Sequence, residues 1–165
     1  MIVGFIGVGR MGLPMAGHLL DAGHDLVVHD VRRAVAEPLL ERGAVLADSP
    51  RVVAEAADIV ITIVPSSRDV EAVVAGLLPA LGSRHLLVEM TTSDPSVTRR
   101  LAAQVTARGA RIIDAPVSGG VKGAVEGTLA IMGGARPPTS SARARCWSAW
   151  ASGSSTWAPS PPDTR

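Results

Sequence analysis

The chain has 165 residues, which is enough for one domain of ordinary size. Hydrophobic residues make up 47% and charged residues 19%, so the composition is that of a globular protein and excludes a wholly disordered chain. The net charge of +1 gives no support for nucleic-acid or membrane binding, and the single cysteine, Cys146, excludes an internal disulfide. We expect a cytoplasmic protein, because no apolar stretch approaches the ~20 residues of a membrane span and no basic signal-peptide region is present.

The first predicted element is a strand over Ile2–Ile6, which runs directly into a glycine cluster. Gly7, Gly9 and Gly12 have the spacing G-x-G-x-x-G, and a helix is predicted over residues 10–22. In this motif the first glycine permits a tight turn, the second lets the backbone approach a diphosphate, and the third lets the helix pack against the strand. The helix start presents free N–H groups to the phosphates. The motif predicts a dinucleotide-binding Rossmann unit; the alternatives are a methyltransferase-type nucleotide fold and an α/β sheet without a ligand.

The second predicted strand, Asp25–His29, is followed directly by Asp30, which lies 18 residues after Gly12. This is close to the ~20-residue spacing of a carboxylate that binds the adenosine ribose. Such a carboxylate favours NAD, which has two free ribose hydroxyls. Arg32 and Arg33 would instead favour the 2′-phosphate of NADP, unless they are solvated loop residues. We expect NAD as the cofactor, with NADP as the alternative.

The rest of the pattern alternates helices with strands. Helices are predicted over residues 35–42, 50–57, 68–78 and Pro95–Ala107, and strands over residues 44–46, 58–64, Leu86–Glu89, Arg111–Asp114 and 129–132. This alternation predicts an α/β fold with a doubly wound, mostly parallel sheet. Ligands of such sheets bind beyond the carboxyl ends of the strands.

Small and polar residues follow the strand that ends at Asp114. Ser118, Gly119 and Gly120 form a predicted loop that is either a nest for a carboxylate or a turn without a ligand. Lys122 is either a catalytic acid or a solvated cation. The four histidines have no metal-ligand spacing, so no metal site is predicted.

Residues 135–165 differ in composition from the rest of the chain. They contain no Leu, Ile, Val, Met or Phe, but they contain all three tryptophans and five of the twelve prolines. A stretch of this kind cannot build a regular core. We therefore predict a folded domain over residues 1–134 and an irregular tail over residues 135–165, either translated out of frame or disordered.

Two long motifs in this order resemble the β-hydroxyacid dehydrogenase family, which includes 3-hydroxyisobutyrate dehydrogenase and tartronate semialdehyde reductase and is related to 6-phosphogluconate dehydrogenase. Residues 4–16 are similar to the opening signature of the family, and residues 114–120 are similar to its substrate-binding signature. Gly127-Thr128-Leu129 and Gly133-Gly134 follow as they usually do in the family. The resemblance covers residues 1–134 and implies the NAD(P)-binding Rossmann domain of such an enzyme, without the helical second domain.

The resemblance also implies roles for individual residues. Those it assigns to the cofactor are Gly7, Val8, Gly9, Arg10, Met11 and Gly12 at the diphosphate, Asp30 and Arg32 at the adenosine ribose, Val64 and Pro65 beside the cofactor, and Thr92 near the nicotinamide ribose. Ser118, Gly119 and Gly120 would hold the substrate carboxylate. Glu89 departs from the family pattern, in which an aspartate is expected.

The activity that the resemblance implies is the reversible oxidation of a small 3-hydroxy acid to its semialdehyde, with no nucleic-acid or membrane partner. In the family, the catalytic lysine belongs to the second domain, and no lysine follows Lys122 here. We therefore assign no catalytic residue in this chain, and a non-catalytic dinucleotide-binding module or an inactive truncated fragment is the alternative. The oligomeric state stays open, because family oligomers rely on that second domain.

Overall fold

The computed structural model describes residues 2–132. Its strands are β1 (Ile2–Ile6), β2 (Asp25–His29), β3 (Val45–Leu46), β4 (Ile59–Thr62), β5 (Leu86–Glu89), β6 (Arg111–Asp114), β7 (Val117–Ser118) and β8 (Ala130–Ile131). The first six form one parallel sheet in the order β3-β2-β1-β4-β5-β6, and β7 pairs with β8 in a separate antiparallel sheet. The predicted doubly wound parallel sheet is confirmed, and the bounds of β1, β2, β5 and β6 are those predicted from the sequence.

The helices are α1 (Gly12–Asp21), α2 (Glu37–Leu40), α3 (Pro50–Ala56), α4 (Ser67–Leu77), α5 (Pro95–Ala107) and α6 (Gly120–Glu126). Ser49, Ser66 and Asp94 cap α3, α4 and α5, each accepting a bond from a backbone N–H of the first turn. None of the helices among residues 2–132 combines the length and the hydropathy of a membrane-spanning helix.

The sheet has a separate apolar core on each face. On one face, Phe5 and Ile61 of the sheet pack with Met15 and Leu19 of α1, and α2 and α6 belong to the same cluster. On the other face, Val60 packs among residues of α3, α4 and α5. The chain changes face between β3 and β4, where α3 carries it from one edge of the sheet to the strand beside β1. This reversal of strand order creates a crevice at the carboxyl ends of β1 and β4.

The prediction of one continuous helix over residues 35–42 is wrong. The structure has a 3-10 turn over Arg33–Ala36 and then the short α2, with Pro38 in its first turn. Proline has no N–H to bond the carbonyl of residue 34, so a continuous α-helix cannot run through this position.

The prediction that Ser118, Gly119 and Gly120 form a loop is also wrong, because two of the three residues belong to a strand or a helix. Ser118 ends β7, Gly119 has a φ of +126° before the helix, and Gly120 begins α6. A two-residue strand and a two-turn helix are too short to give a periodic signal in the sequence. The predicted irregular tail, including Cys146, lies outside the described residues, as does the Gly133-Gly134 pair.

Candidate functional site

Backbone hydrogen bonds hold together the segments that leave the carboxyl ends of the strands. The N–H of Gly7 donates to the carbonyl of His29 at 2.9 Å, and the N–H of Ile63 donates to Ile6 at 3.0 Å. Beyond β4 and β5, Met90 donates to Thr62 at 2.8 Å. The segments after β2, β1, β4 and β5 therefore form one continuous edge, and this edge contains the predicted cofactor residues.

Two of the three motif glycines are required by the packing of the turn itself. Gly7 has a φ of +92°, and a Cβ at this residue would lie 2.1 Å from the carbonyl oxygen of Ile63. A Cβ on Gly12 would lie 1.8 Å from the carbonyl oxygen of Gly7 and 3.0 Å from the ring of Phe5 in β1. Close approach of the turn to the segment after β4, and of α1 to both the turn and β1, excludes any side chain at these two positions.

Gly9 is different, because nothing in the packing of the fold excludes a side chain there. A Cβ on Gly9 would meet only the guanidinium of Arg32, at 3.7 Å. The helix that follows, α1, begins without a side-chain cap, since Met11 makes no capping bond. The surface around Gly9 is thus bare backbone next to a helix N-terminus, which carries a partial positive charge.

Asp30 is buried at the end of β2 and organises the backbone on both sides of it. One carboxylate oxygen accepts the N–H of Val8 at 3.0 Å, and the other accepts the N–H of Arg32 at 2.9 Å. The carboxylate therefore ties the glycine turn to the segment after β2, and each oxygen keeps a further lone pair for another donor. The Arg32 side chain is 70% exposed, with its Nε 3.9 Å from Asp30.

Glu89 lies at the end of β5 and is only 1% exposed. Its Oε1 accepts the N–H of Thr91 at 2.7 Å, and the hydroxyls of Thr62 and Ser93 lie 3.5 and 3.4 Å from its two oxygens. Thr91 in turn accepts the N–H of Val64 at 3.1 Å on its hydroxyl oxygen. The sequence shows Glu89 only as a departure from the aspartate of the family pattern. The structure places it at the centre of a buried polar cluster, which a single sequence position does not reveal.

Glu89 also has a second carboxyl beside it, because Asp114 is its register partner on β6. Burial raises the pKa of Glu89, and the charge of Asp114 raises it further, although the bonds from Thr91 and Ser93 act in the opposite direction. Burial raises the pKa of Asp114 as well. The folded chain therefore holds these two protons more tightly than the unfolded chain does.

This gives a prediction for the pH dependence of stability. The stabilising contribution of these two carboxyls is fully present below their ordinary pKa values and is lost as pH rises through the raised ones. Asp114→Asn removes the like charge, so we expect it to raise the free energy of unfolding at pH 7 by about 0.5 kcal/mol and to leave it unchanged near pH 3 to 4. Urea denaturation at both pH values measures this, and an equal gain at both would contradict it.

Ser118, Gly119 and Gly120 lead into α6, which packs on α1, the helix that follows the glycine turn. His18 of α1 donates from Nε2 to the carbonyls of Ala124 and Val125, at 3.0 and 3.1 Å. These carbonyls belong to the last turn of α6 and have no helical partner of their own. His18, which the sequence did not single out, therefore holds in place the helix that begins at the predicted substrate loop.

We expect His18→Ala to lower the free energy of unfolding by about 1 kcal/mol, because it leaves these two carbonyls without a protein donor. His18→Gln, which keeps an N–H donor on a chain of similar reach, should recover part of the loss. Denaturant midpoints of the three proteins measure the effect. Equal midpoints for His18→Ala and the wild type would show that the bonds contribute nothing.

Comparison with known proteins assigns the chain to a family. Residues 2–157 match the model of the NAD binding domain of 6-phosphogluconate dehydrogenase. The chain belongs to this family. It is 44% identical over 135 residues to the mitochondrial 3-hydroxyisobutyrate dehydrogenase of Mus musculus, covering 80% of this chain and 40% of that one. It is 45% identical over 137 residues to the 2-hydroxy-3-oxopropionate reductase of Escherichia coli (strain K12), covering 81% and 47%.

The fold of this NAD-binding domain is also that of solved relatives. The structure of 3-hydroxyisobutyrate dehydrogenase from Mycobacterium tuberculosis with L-serine has a TM-score of 0.81 at 30% identity, covering 91% of this chain and 52% of that one. The chain spans about half the length, or less, of the curated relatives it matches. The family, the Rossmann fold and the nicotinamide dinucleotide cofactor predicted from the sequence are confirmed.

Proposed function

We propose that the carboxyl edge of the sheet binds NAD or NADP along its length, in the order of the strands. Asp30 and Arg32 follow β2 and would contact the adenosine ribose, and residues 7–12 follow β1 and would contact the diphosphate. Val64 and Pro65 follow β4 and Thr92 follows β5, where they would line the nicotinamide half. The strand order β2-β1-β4-β5 supports this assignment, because it matches the order of these parts along an extended dinucleotide.

The observation that carries this proposal is the open space at Gly9. The packing explains why Gly7 and Gly12 have no side chain, but it leaves Gly9 unexplained, since only the flexible tip of Arg32 comes within 4 Å of its Cβ position. A phosphate that contacts the backbone amides here supplies the missing reason. The uncapped start of α1 adds N–H donors and a favourable dipole at the same place.

We propose NAD as the preferred cofactor. The Asp30 carboxylate is fixed by two backbone N–H groups, so it can accept bonds from free ribose hydroxyls and would repel a 2′-phosphate. Arg32 is exposed and lies beside both Asp30 and Gly9, so its guanidinium is in reach of a phosphate. The buried carboxylate is fixed and the guanidinium is free to turn away, which favours NAD.

For the whole enzyme, we propose oxidation of a small 3-hydroxy acid to its semialdehyde. NAD or NADP held at this edge by residues 7–12 and Asp30 would supply the hydride transfer of this reaction. Ser118, Gly119 and Gly120 would hold the substrate carboxylate; Gly119 and Gly120 have φ values of +126° and +60°, a conformation that favours glycine and leaves the backbone here without side chains. The names and identities of the two curated relatives support this substrate class.

A non-catalytic dinucleotide-binding role is the second candidate, and Lys122 favours it. Lys122 is the only lysine in the sequence. Its side chain is 85% exposed, and its Nζ lies 3.9 Å from Glu126 of the same helix. Its exposure and its ion pair with Glu126 favour a solvated cation over a catalytic acid.

Calorimetric titration of the chain with NADH, NADPH and S-adenosylmethionine tests the proposal. We expect binding of both dinucleotides, tighter for NADH, and no heat with S-adenosylmethionine. An assay with several 3-hydroxy acids on the same protein then separates the two candidates, because dinucleotide binding without turnover supports the non-catalytic role. Absence of heat with both dinucleotides would overturn the proposed function.

A further inference from the structure

We propose that Glu89 is a positioning residue that fixes the segment after β4 against the segment after β5, with the Thr91 side chain as the link between them. This inference rests on the proposed function, because these segments contain Val64, Pro65 and Thr92. Glu89 itself is 1% exposed and lies beneath the edge, so it acts on the cofactor only through the backbone that it holds.

Two hydrogen bonds connect the backbone N–H of Val64, through Thr91, to the Glu89 carboxylate. The Glu89 carboxylate accepts the N–H of Thr91 at 2.7 Å, and the buried Thr91 hydroxyl accepts the N–H of Val64 at 3.1 Å. Ser93 donates its hydroxyl to the second carboxylate oxygen at 3.4 Å. One carboxylate therefore constrains residues 91–93 directly and Val64 indirectly.

The cost of burying the carboxylate supports a functional reason for it. Burial and the neighbouring Asp114 both disfavour the charged form of Glu89, as the raised pKa shows. An uncharged residue here would avoid that cost, but it would leave the N–H of Thr91 without its charged acceptor. Perturbed carboxyls of this kind concentrate at sites where geometry matters for binding.

The chain of bonds gives different expectations for two near-isosteric variants. Thr91→Val removes the acceptor for Val64 and leaves the bond between Glu89 and the Thr91 backbone. Glu89→Gln weakens the bond to Thr91 and so loosens both segments. In the free protein, hydrogen exchange should speed up only at the Val64 amide in Thr91→Val, and at the amides of both residues 64 and 91 in Glu89→Gln.

Cofactor affinity supplies the decisive readout. We expect each single variant to weaken NADH binding by about tenfold and the double variant to be no worse than Glu89→Gln alone, because both act through one link. Glu89→Asp keeps a charged acceptor and should bind NADH more tightly than Glu89→Gln. The matched control Glu55→Gln makes the same chemical change on an exposed residue of α3 and should bind NADH as the wild type does.

The outcomes separate this inference from the proposed function. If the wild type binds NADH and Glu89→Gln binds it equally well, or if the two losses add in the double variant, the positioning role is overturned. If the wild type binds no dinucleotide, the proposed function fails, and unchanged exchange at Val64 in Glu89→Gln would refute the link by itself. Circular dichroism confirms that each variant is folded.

Discussion

Replacing Gly12 with alanine is expected to lower the free energy of unfolding by about 3 kcal/mol or more, a large share of the ~5–15 kcal/mol that holds a domain of this kind together. The added Cβ would lie 1.8 Å from the carbonyl oxygen of Gly7. The backbone fixes the position of a Cβ, and its neighbour is a backbone carbonyl, so no side-chain rotation can relieve the contact. Only a displacement of α1 away from β1 can, and this would open the core around Phe5 and Met15.

Gly82→Ala is the matched control for this experiment. A Cβ at Gly82 has no neighbouring atom within 4 Å, and the residue is in a backbone conformation open to alanine. Its free energy of unfolding should stay within about 0.5 kcal/mol of the wild type. Urea denaturation of the three proteins gives the comparison, and a Gly12→Ala midpoint equal to that of Gly82→Ala would show that α1 does not press on the turn as the structure has it.

The sequence predicted the longer strands of the sheet well, because each of them carried its own local signal. The runs ending at Ile6, His29 and Glu89 are apolar and are bounded by glycine, acidic or turn residues, so both their type and their limits could be read. The helix through residues 35–42 was mistaken because Pro38 interrupts it, and one proline outweighs the helical pattern around it.

The proximity of Asp30 to the glycine motif was predictable from the sequence, but the contacts between individual groups were not. The spacing in the sequence predicted that Asp30 lies close to the glycine motif. In the structure the two are in direct contact, because the Asp30 carboxylate accepts the N–H of Val8. The burial of Glu89, the bond from the Val64 N–H to Thr91 and the support of α6 by His18 all depend on residues distant in sequence. A pattern of period 2 or 3.6 contains no information about such pairs, which only the folded sheet edge creates.

The sequence does not distinguish the three glycines of the motif. The structure divides them into two groups according to what an added Cβ would contact. Gly7 and Gly12 are demanded by contacts within the protein, whereas Gly9 faces open space. Substitution of Gly7 or Gly12 should therefore lower the stability of the fold. Substitution of Gly9 should instead lower the affinity for the cofactor and leave the stability normal.

Gly9→Val is expected to weaken NADH binding by about 10- to 100-fold while leaving the free energy of unfolding within about 0.5 kcal/mol of the wild type. A branched side chain at Gly9 would stand between the backbone amides and the diphosphate, so the phosphates could no longer reach the N–H groups at the start of α1. The guanidinium of Arg32, 3.7 Å from the Cβ position, is exposed and can turn away, which is why the fold should tolerate the change.

Calorimetry with NADH and urea denaturation on the same preparations measure both quantities for Gly9→Val, with Gly82→Ala as the control for the loss of a glycine at an open position. The control should match the wild type in both measurements. Gly9→Ala should lie between the wild type and Gly9→Val in affinity, because a methyl group intrudes less than an isopropyl group. Retention of full affinity in Gly9→Val would place the diphosphate away from this turn, and a loss of stability as large as that of Gly12→Ala would mean that Gly9 serves the packing of the fold.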